Sequence, residues 1–181
     1  MKKLICLIGE TARGKDTVAR YLQETYNKKP VVSYTTRPKR DSETDGVEHY
    51  VIDDLTADKM LATTDNIAAY TKIGNYRYFS TIEEVMHSDI YIIDPNGFKN
   101  LYLGNNEIKL IPIYITCNLN IAYKRAKKRG DNIDVFEERV IAESTQFTDY
   151  KDYAYKIENN DDLNHLYAQV DAIVAEISNL S

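Results

Sequence analysis

Seven residues near the N-terminus, Gly9-Glu10-Thr11-Ala12-Arg13-Gly14-Lys15, carry the spacing G-x-x-x-x-G-K between an apolar run and a helix-patterned segment. In that setting the spacing has a physical use. Its glycines let the backbone curl until N–H groups point inward at phosphate oxygens, and the helix that follows adds its positive end. Lys15 is expected to reach the β- and γ-phosphates of ATP and to follow the charge as it transfers. Gly9, Thr11, Ala12, Arg13, Gly14 and Lys15 are therefore the expected ATP-binding set. A chance glycine turn would not bring strand, lysine and helix into agreement. One position departs. The Ser or Thr that usually follows the lysine, a magnesium ligand, is Asp16, with Thr17 next. A carboxylate coordinates magnesium directly or through water, so either Asp16 or Thr17 could serve the metal. Asp16 would also bring a negative charge toward the triphosphate.

The second informative stretch runs from Ser33 through Thr35-Thr36-Arg37-Pro38-Lys39-Arg40 to Glu43 and Gly46. Three cations within four residues, beside two threonine hydroxyls, suit a second phosphate group. Arginine does this best, because its planar fork bonds two oxygens at once. A bare R-P-K-R would read as a solvated basic loop; a phosphate loop upstream favours a binding site. Further along, Arg125 and Arg129 stand at helical i, i+4 spacing among Lys124, Lys127 and Lys128, as surface cations or as part of a lid.

The elements that must position these residues read as alternating strands and helices. Leu4–Ile8 is a short buried-strand pattern that stops at Gly9, and Val18, Ala19, Leu22 and Tyr26 mark the helix after Lys15. Val31–Ser33 reads as a second strand, and residues 34 to about 88 as a polar lid or acceptor-binding insertion with weak periodicity, outside the core sheet. Strands are expected at 90–94, 108–115 and 155–157. Helices are expected from Asn96 to Leu103 with an exit at Gly104-Asn105-Asn106, after Asn118 to Arg129, and from Val135 to Phe147 capped by Asp134. Leu163, Leu166, Tyr167, Val170, Ile173, Val174 and Ile177 form the apolar stripe of a last helix. The alternation indicates an α/β domain with a parallel sheet.

Bulk properties narrow the classes. With 181 residues the chain fits one domain with a sizeable core. Its net charge of −5 argues against broad binding to nucleic acid or an anionic membrane. The two cysteines, Cys6 and Cys117, lie in buried-strand patterns and point to a reducing cytosol. No apolar run approaches the roughly 18 residues of a membrane span, and the start is too short for a signal peptide. A cytoplasmic location is expected.

The motifs together resemble the guanylate kinase family. The resemblance rests on G-x-x-x-x-G-K, on S-x-T-T-R-x-x-R-x-x-E-x-x-G, on Gly74-Asn75-Tyr76, on Arg125…Arg129-Gly130…Arg139, and on Tyr153-Ala154-Tyr155-Lys156-Ile157-Glu158-Asn159. It implies that Ser33 touches the acceptor base and that Arg37 and Arg40 hold the acceptor phosphate, with Glu43 in the acceptor lobe. Asp94 matches the second Asp of the family's D-x-D, as an acceptor-side or magnesium-shell residue. Arg125, Arg129 and Arg139 would close over the triphosphate as a lid, and Asn159 would lie near the adenine. Asp16, Thr17 and Asp94 are the expected metal residues. The implied architecture is a three-layer P-loop kinase fold. Its core is 1–33, 89–125 and 139–181, with an inserted acceptor-binding lobe over about 34–88 and a short lid over about 126–138. ATP and magnesium are the implied cofactors, small nucleotides the partners, and monomer or homodimer the state.

Four departures bear on the acceptor. The family's guanine-reading carboxylate falls on Ala68, with Thr71 the nearest polar substitute. An unmatched donor pair on guanine loses roughly a few kcal/mol of discrimination. The N-Y-Y-G-[ST] segment is stretched to Asn75-Tyr76-Arg77-Tyr78-Phe79-Ser80, so Tyr78 or Tyr76 meets the acceptor phosphate. The family's phosphate-binding Tyr is His49, with Tyr50 beside it. The G-K-D-T variant resembles ribose bisphosphate phosphokinases. The reading that fits best is phosphoryl transfer to a nucleoside monophosphate, GMP or dGMP first. Ribose 1,5-bisphosphate is an alternative acceptor, and a non-catalytic binding module a third reading; intact Gly14, Lys15, Arg37 and Arg40 count against the last.

Overall fold

The computed structural model describes residues 2–40, 43–63, 66–104 and 108–179. Asp41 and Ser42 of the basic block, and the helix exit expected at Asn105-Asn106, lie outside the described residues.

Strand β1 (Lys2–Ile8) is the axis of the fold. It pairs in parallel with β6 (Ile90–Ile92) on one side and β7 (Ile108–Thr116) on the other, and β7 pairs in parallel with β8 (Tyr155–Glu158). The sheet order is β6-β1-β7-β8. Because a strand alternates its side chains, a central parallel strand must be apolar on both faces. Ile5 and Leu7 pack into one core with α1 (Lys15–Tyr26) and α7 (Leu163–Asn179). Leu4, Cys6 and Ile8 pack into a second core with Phe98 of α4 (Pro95–Lys99) and Phe147 of α6 (Ile133–Phe147). Helices on both faces of a parallel sheet make three layers. Leu166, Val170, Ile173 and Ile177 of α7 are buried, with Tyr167 and Val174 packed against the same core, as the stripe predicts, whereas Leu163 is exposed.

Four expectations are corrected. The second strand is shifted: β2 is Ser33–Thr35 and belongs to another sheet. That sheet, β3-β2-β5-β4, contains β3 (His49–Val51), β4 (Ile67–Ile73) and β5 (Tyr76–Thr81), so the segment read as weakly periodic holds regular structure. Two short helices, α2 (Asp54–Leu61) and α3 (Ile82–Met86), flank these strands. The helix expected over 96–103 ends at Lys99, and Leu103 is buried without being helical. Helix α6 begins earlier than expected, because Asn132 and not Asp134 caps it, accepting the Val135 N–H at 3.2 Å. Helix α5 (Leu119–Arg129) follows Asn118, whose side chain makes no cap hydrogen bond, and closes on Gly130 as expected.

Candidate functional site

The phosphate loop leaves β1 at Ile8 and enters α1 at Lys15, so the fold places it at the carboxyl edge of the central strand. Gly9 has no room for a side chain: a Cβ there would stand 2.3 Å from the Ile115 carbonyl oxygen of β7. Gly14 takes a φ of 105°, a conformation that L side chains rarely adopt. The Lys15 ammonium donates to the carbonyls of Gly9 at 2.7 Å and Glu10 at 2.8 Å, so it lies along the inside of the loop. Burial lowers its pKa, and the carboxylates of Glu143 and Asp16 work against that.

Across the cleft stands the basic block. Thr35 Oγ1 accepts the Arg37 N–H at 3.1 Å and donates to the Arg77 carbonyl at 3.0 Å, tying the block to β5. Arg37 Nη2 donates to both oxygens of Glu43, at 2.8 and 2.9 Å, and Arg40 Nη1 reaches Glu43 at 3.2 Å. The carboxylate of Glu43 is held below its ordinary pKa: burial pushes it up, but the Arg40 N–H and the Arg37 guanidinium outweigh that. Arg37 Nε is buried with no hydrogen-bond partner among the described residues. The Arg40 pKa is lowered, first by burial and then by Arg37, Arg139 and Arg129. Cations crowded so closely call for an anion between them.

One cleft gathers these groups. It is lined by Gly9, Thr11, Ala12, Lys15 and Asp16 from the loop, by Ser33, Arg37, Arg40, His49, Thr71, Tyr78 and Asp94, and by Arg129 and Arg139. In its lining Ser33 Oγ and His49 Nδ1 are 2.8 Å apart, and burial, then Arg37, lowers the His49 pKa. Thr71 Oγ1 donates to Asp94 Oδ1 at 3.3 Å, and the same oxygen takes the N–H groups of Asn96 and Gly97 at the start of α4. Burial raises the Asp94 pKa. Arg129 is paired with Asp131, and Arg139 Nε donates to Glu143 at 2.6 Å.

Other expected residues lie elsewhere. Arg13 is buried against Glu10 and the Cys117 carbonyl, and so braces the loop. Asn159 does not line the cleft. Its amide donates to the Arg13 carbonyl at 2.9 Å and accepts from Arg125 Nη2 at 3.1 Å, so both residues lie beneath the loop. Thr17 is on α1, outside the lining, as are Glu43 behind the arginines and Tyr50 stacked on Tyr34. Ser80 is fully buried and bonded to the Tyr91 hydroxyl at 2.6 Å. Tyr76 is 40% exposed and belongs to the outer mouth, between the lid and the turn at Gly74. Arg77 is held by Asp54 and Asp58, away from the cleft. Ala68 is buried in the second core beside a β-bulge, and its carbonyl accepts the Tyr102 N–H. The residue that sequence reasoning missed is Glu143, whose Oε2 accepts the Thr11 N–H at 2.6 Å. Its i, i+4 spacing to Arg139 was the available signal.

Among the described residues no three His, Cys, Asp or Glu side chains cluster to hold a metal. Magnesium at a phosphate-transfer site is held by one or two carboxylates together with the substrate's own phosphates. Asp16, exposed at the cleft, fits such a site.

A three-layer α/β core whose phosphate loop faces a second cation cluster defines a P-loop phosphotransferase architecture. The guanylate kinase family model matches residues 1–177, and the chain belongs to that family of nucleoside monophosphate kinases. The guanylate kinase of Leifsonia xyli subsp. xyli is 37% identical over 117 residues, 61% of this chain and 46% of that protein. That of Zymomonas mobilis subsp. mobilis is 27% identical over 179 residues, 94% of this chain and 82% of that protein. The crystal structure of guanylate kinase from Anaplasma phagocytophilum has a TM-score of 0.66 at 18% identity. It covers 98% of this chain and 85% of that one, a likeness of fold. No helix among the described residues is long and apolar enough to cross a membrane.

Proposed function

We propose that this cleft transfers the γ-phosphate of ATP to GMP or dGMP, giving GDP or dGDP. The observation that carries the reading is the meeting of two phosphate-binding clusters in one cleft: Lys15 with the loop, and Arg37 with Arg40. A single phosphate would need one of them. Two, with Arg129 and Arg139 between, suit a donor triphosphate and a phosphorylated acceptor brought face to face.

The roles follow from the chemistry. The loop N–H groups and Lys15 hold the triphosphate, and Arg37 and Arg40 hold the acceptor phosphate with Glu43 fixing both. Arg129 and Arg139 neutralise charge on the transferring group, which needs electrostatic help more than covalent help. Tyr78 and His49 complete the phosphate end of the acceptor pocket. Ser33, Thr71 and Asp94 face the base, where the Asp94 carboxylate is an acceptor for guanine's N–H edge and stands in for the side chain that Ala68 lacks. Asp16 would hold magnesium, which supplies charge neutralisation on the phosphates. The acceptor-binding lobe is about 34–88, entered through Ser33, and the lid about 126–138. Closing both would exclude water, so that phosphate goes to the acceptor.

The protein acts on small nucleotides, not nucleic acid, as a monomer or homodimer. A cytoplasmic location fits its two free, buried thiols.

Arg40→Ala tests the reading. It should raise the KM for GMP or lower kcat while ATP binding survives. Equal losses of ATP and GMP affinity would contradict the division of the cleft.

A further inference from the structure

Glu143 is a carboxylate on α6 that neither the phosphate-loop motif nor the basic block accounts for. It is 5% exposed, and a buried carboxylate is costly unless its oxygens are bonded. Both are. Oε2 takes the Thr11 N–H of the phosphate loop at 2.6 Å, and Oε1 takes Arg139 Nε at 2.6 Å.

Local helix physics does not select this pair. In an isolated helix the favourable order is acid before base, and here Arg139 precedes Glu143. The third partner, Thr11, gives the carboxylate its place. It also gives the contact a geometric consequence. Arg139 is held by Nε alone, so its two terminal nitrogens carry no hydrogen bond among the described residues, while the side chain lines the cleft. That is the fork that bonds a phosphate bidentately. Glu143 is also the carboxylate that most supports the charge on Lys15.

We propose that Glu143 is a positioning residue that yokes α6 to the phosphate loop, holding Arg139 by Nε so that its terminal nitrogens meet the transferring phosphate. The contact persists when ATP is bound. The inference rests on the kinase reading above, because Arg139 has a phosphate to meet only there.

The test is a double-mutant cycle of Glu143→Gln and Arg139→Ala, read as kcat and KM for both substrates. Glu143→Gln should lower kcat roughly tenfold to a hundredfold, as expected for a misplaced catalytic group, with the KM for GMP nearly unchanged. The double variant should be no slower than Arg139→Ala alone. Native kcat in Glu143→Gln, losses that multiply in the double variant, or tighter ATP binding in Glu143→Gln would each overturn the proposal. The last result would mean that the carboxylate only occupies the place of a phosphate.

A measurement on the native chain does not depend on a variant folding. The Arg139 Nε–H resonance in arginine-labelled protein should stay protected from exchange on adding magnesium and a non-hydrolysable ATP analogue. Its loss of protection would overturn the proposal. Absence of any turnover by the native chain would instead reject the kinase reading.

Discussion

One nitrogen of Arg37, Nη2, lies 2.8 and 2.9 Å from the two carboxylate oxygens of Glu43, and the same carboxylate accepts the Arg40 main-chain N–H at 3.0 Å. The acceptor arginines are thus set in place by a third residue that does not itself line the cleft. Carboxylates also pair with the other two arginines: Arg129 has Asp131, and Arg139 has Glu143, which does line the cleft. Each carboxylate holds its arginine by some of its nitrogens, which reduces the ordering left for substrate to impose.

Glu43→Gln should therefore act on the acceptor alone. The KM for GMP is expected to rise roughly tenfold, about 1.4 kcal/mol, with the KM for ATP within about twofold. Initial rates with each substrate varied in turn check this. An equal rise in both constants would contradict the role given to Glu43.

Lys15→Ala removes an ammonium whose hydrogen bonds, among the described residues, go to loop carbonyls. Its loss should lower kcat by about a hundredfold or more, the usual effect of deleting one group that stabilises transition-state charge. The thermal midpoint should shift little. Retained turnover in a folded variant would sink the assignment of the loop.

Gly9→Ala separates folding from chemistry. The new Cβ would stand 2.3 Å from the Ile115 carbonyl oxygen, a backbone atom that cannot step aside alone. Overpacking of this kind costs about 2–3 kcal/mol, so the melting temperature should fall by roughly 5–10 °C. An unchanged melting temperature would mean that the loop and β7 are not packed as described.

His49 gives a pH signature. Burial, then the neighbouring Arg37, lowers its pKa below the ordinary 6.5. The unfolded chain therefore binds the proton first as pH falls. The imidazole's contribution to stability is whole above about pH 6.5 and is lost as pH falls through the lowered folded-state value. Melting temperatures from pH 8 to 5 should drop in the native chain and drop less in His49→Gln. Identical slopes would contradict the half-buried, neutral imidazole.

The sequence made some of this legible for identifiable reasons. Glycine spacing and a lysine at a strand-to-helix junction have few other uses, so the phosphate loop could be read directly. Leu4–Ile8 is apolar at every position because both faces of β1 are covered. The second sheet was harder. Its strands are short and half-buried, and Gly74-Asn75, the two-residue connection between Ile73 and its partner Tyr76, is a hairpin signal that the polar surroundings masked. Asn159 and Arg125 carried motif positions, yet their side chains brace the loop from below, which no spacing rule reports. Glu143 lay outside every motif, because the loop N–H it accepts is 132 residues away in the chain.

The most direct test is ADP release from ATP and magnesium against GMP, dGMP, AMP, UMP, CMP, dTMP and ribose 1,5-bisphosphate. Turnover with GMP or dGMP alone is the predicted result; it would mean that Asp94, Thr71 and Ser33 read the base without a carboxylate at Ala68. Turnover only with the sugar bisphosphate or another base, or with none of the seven, would contradict it.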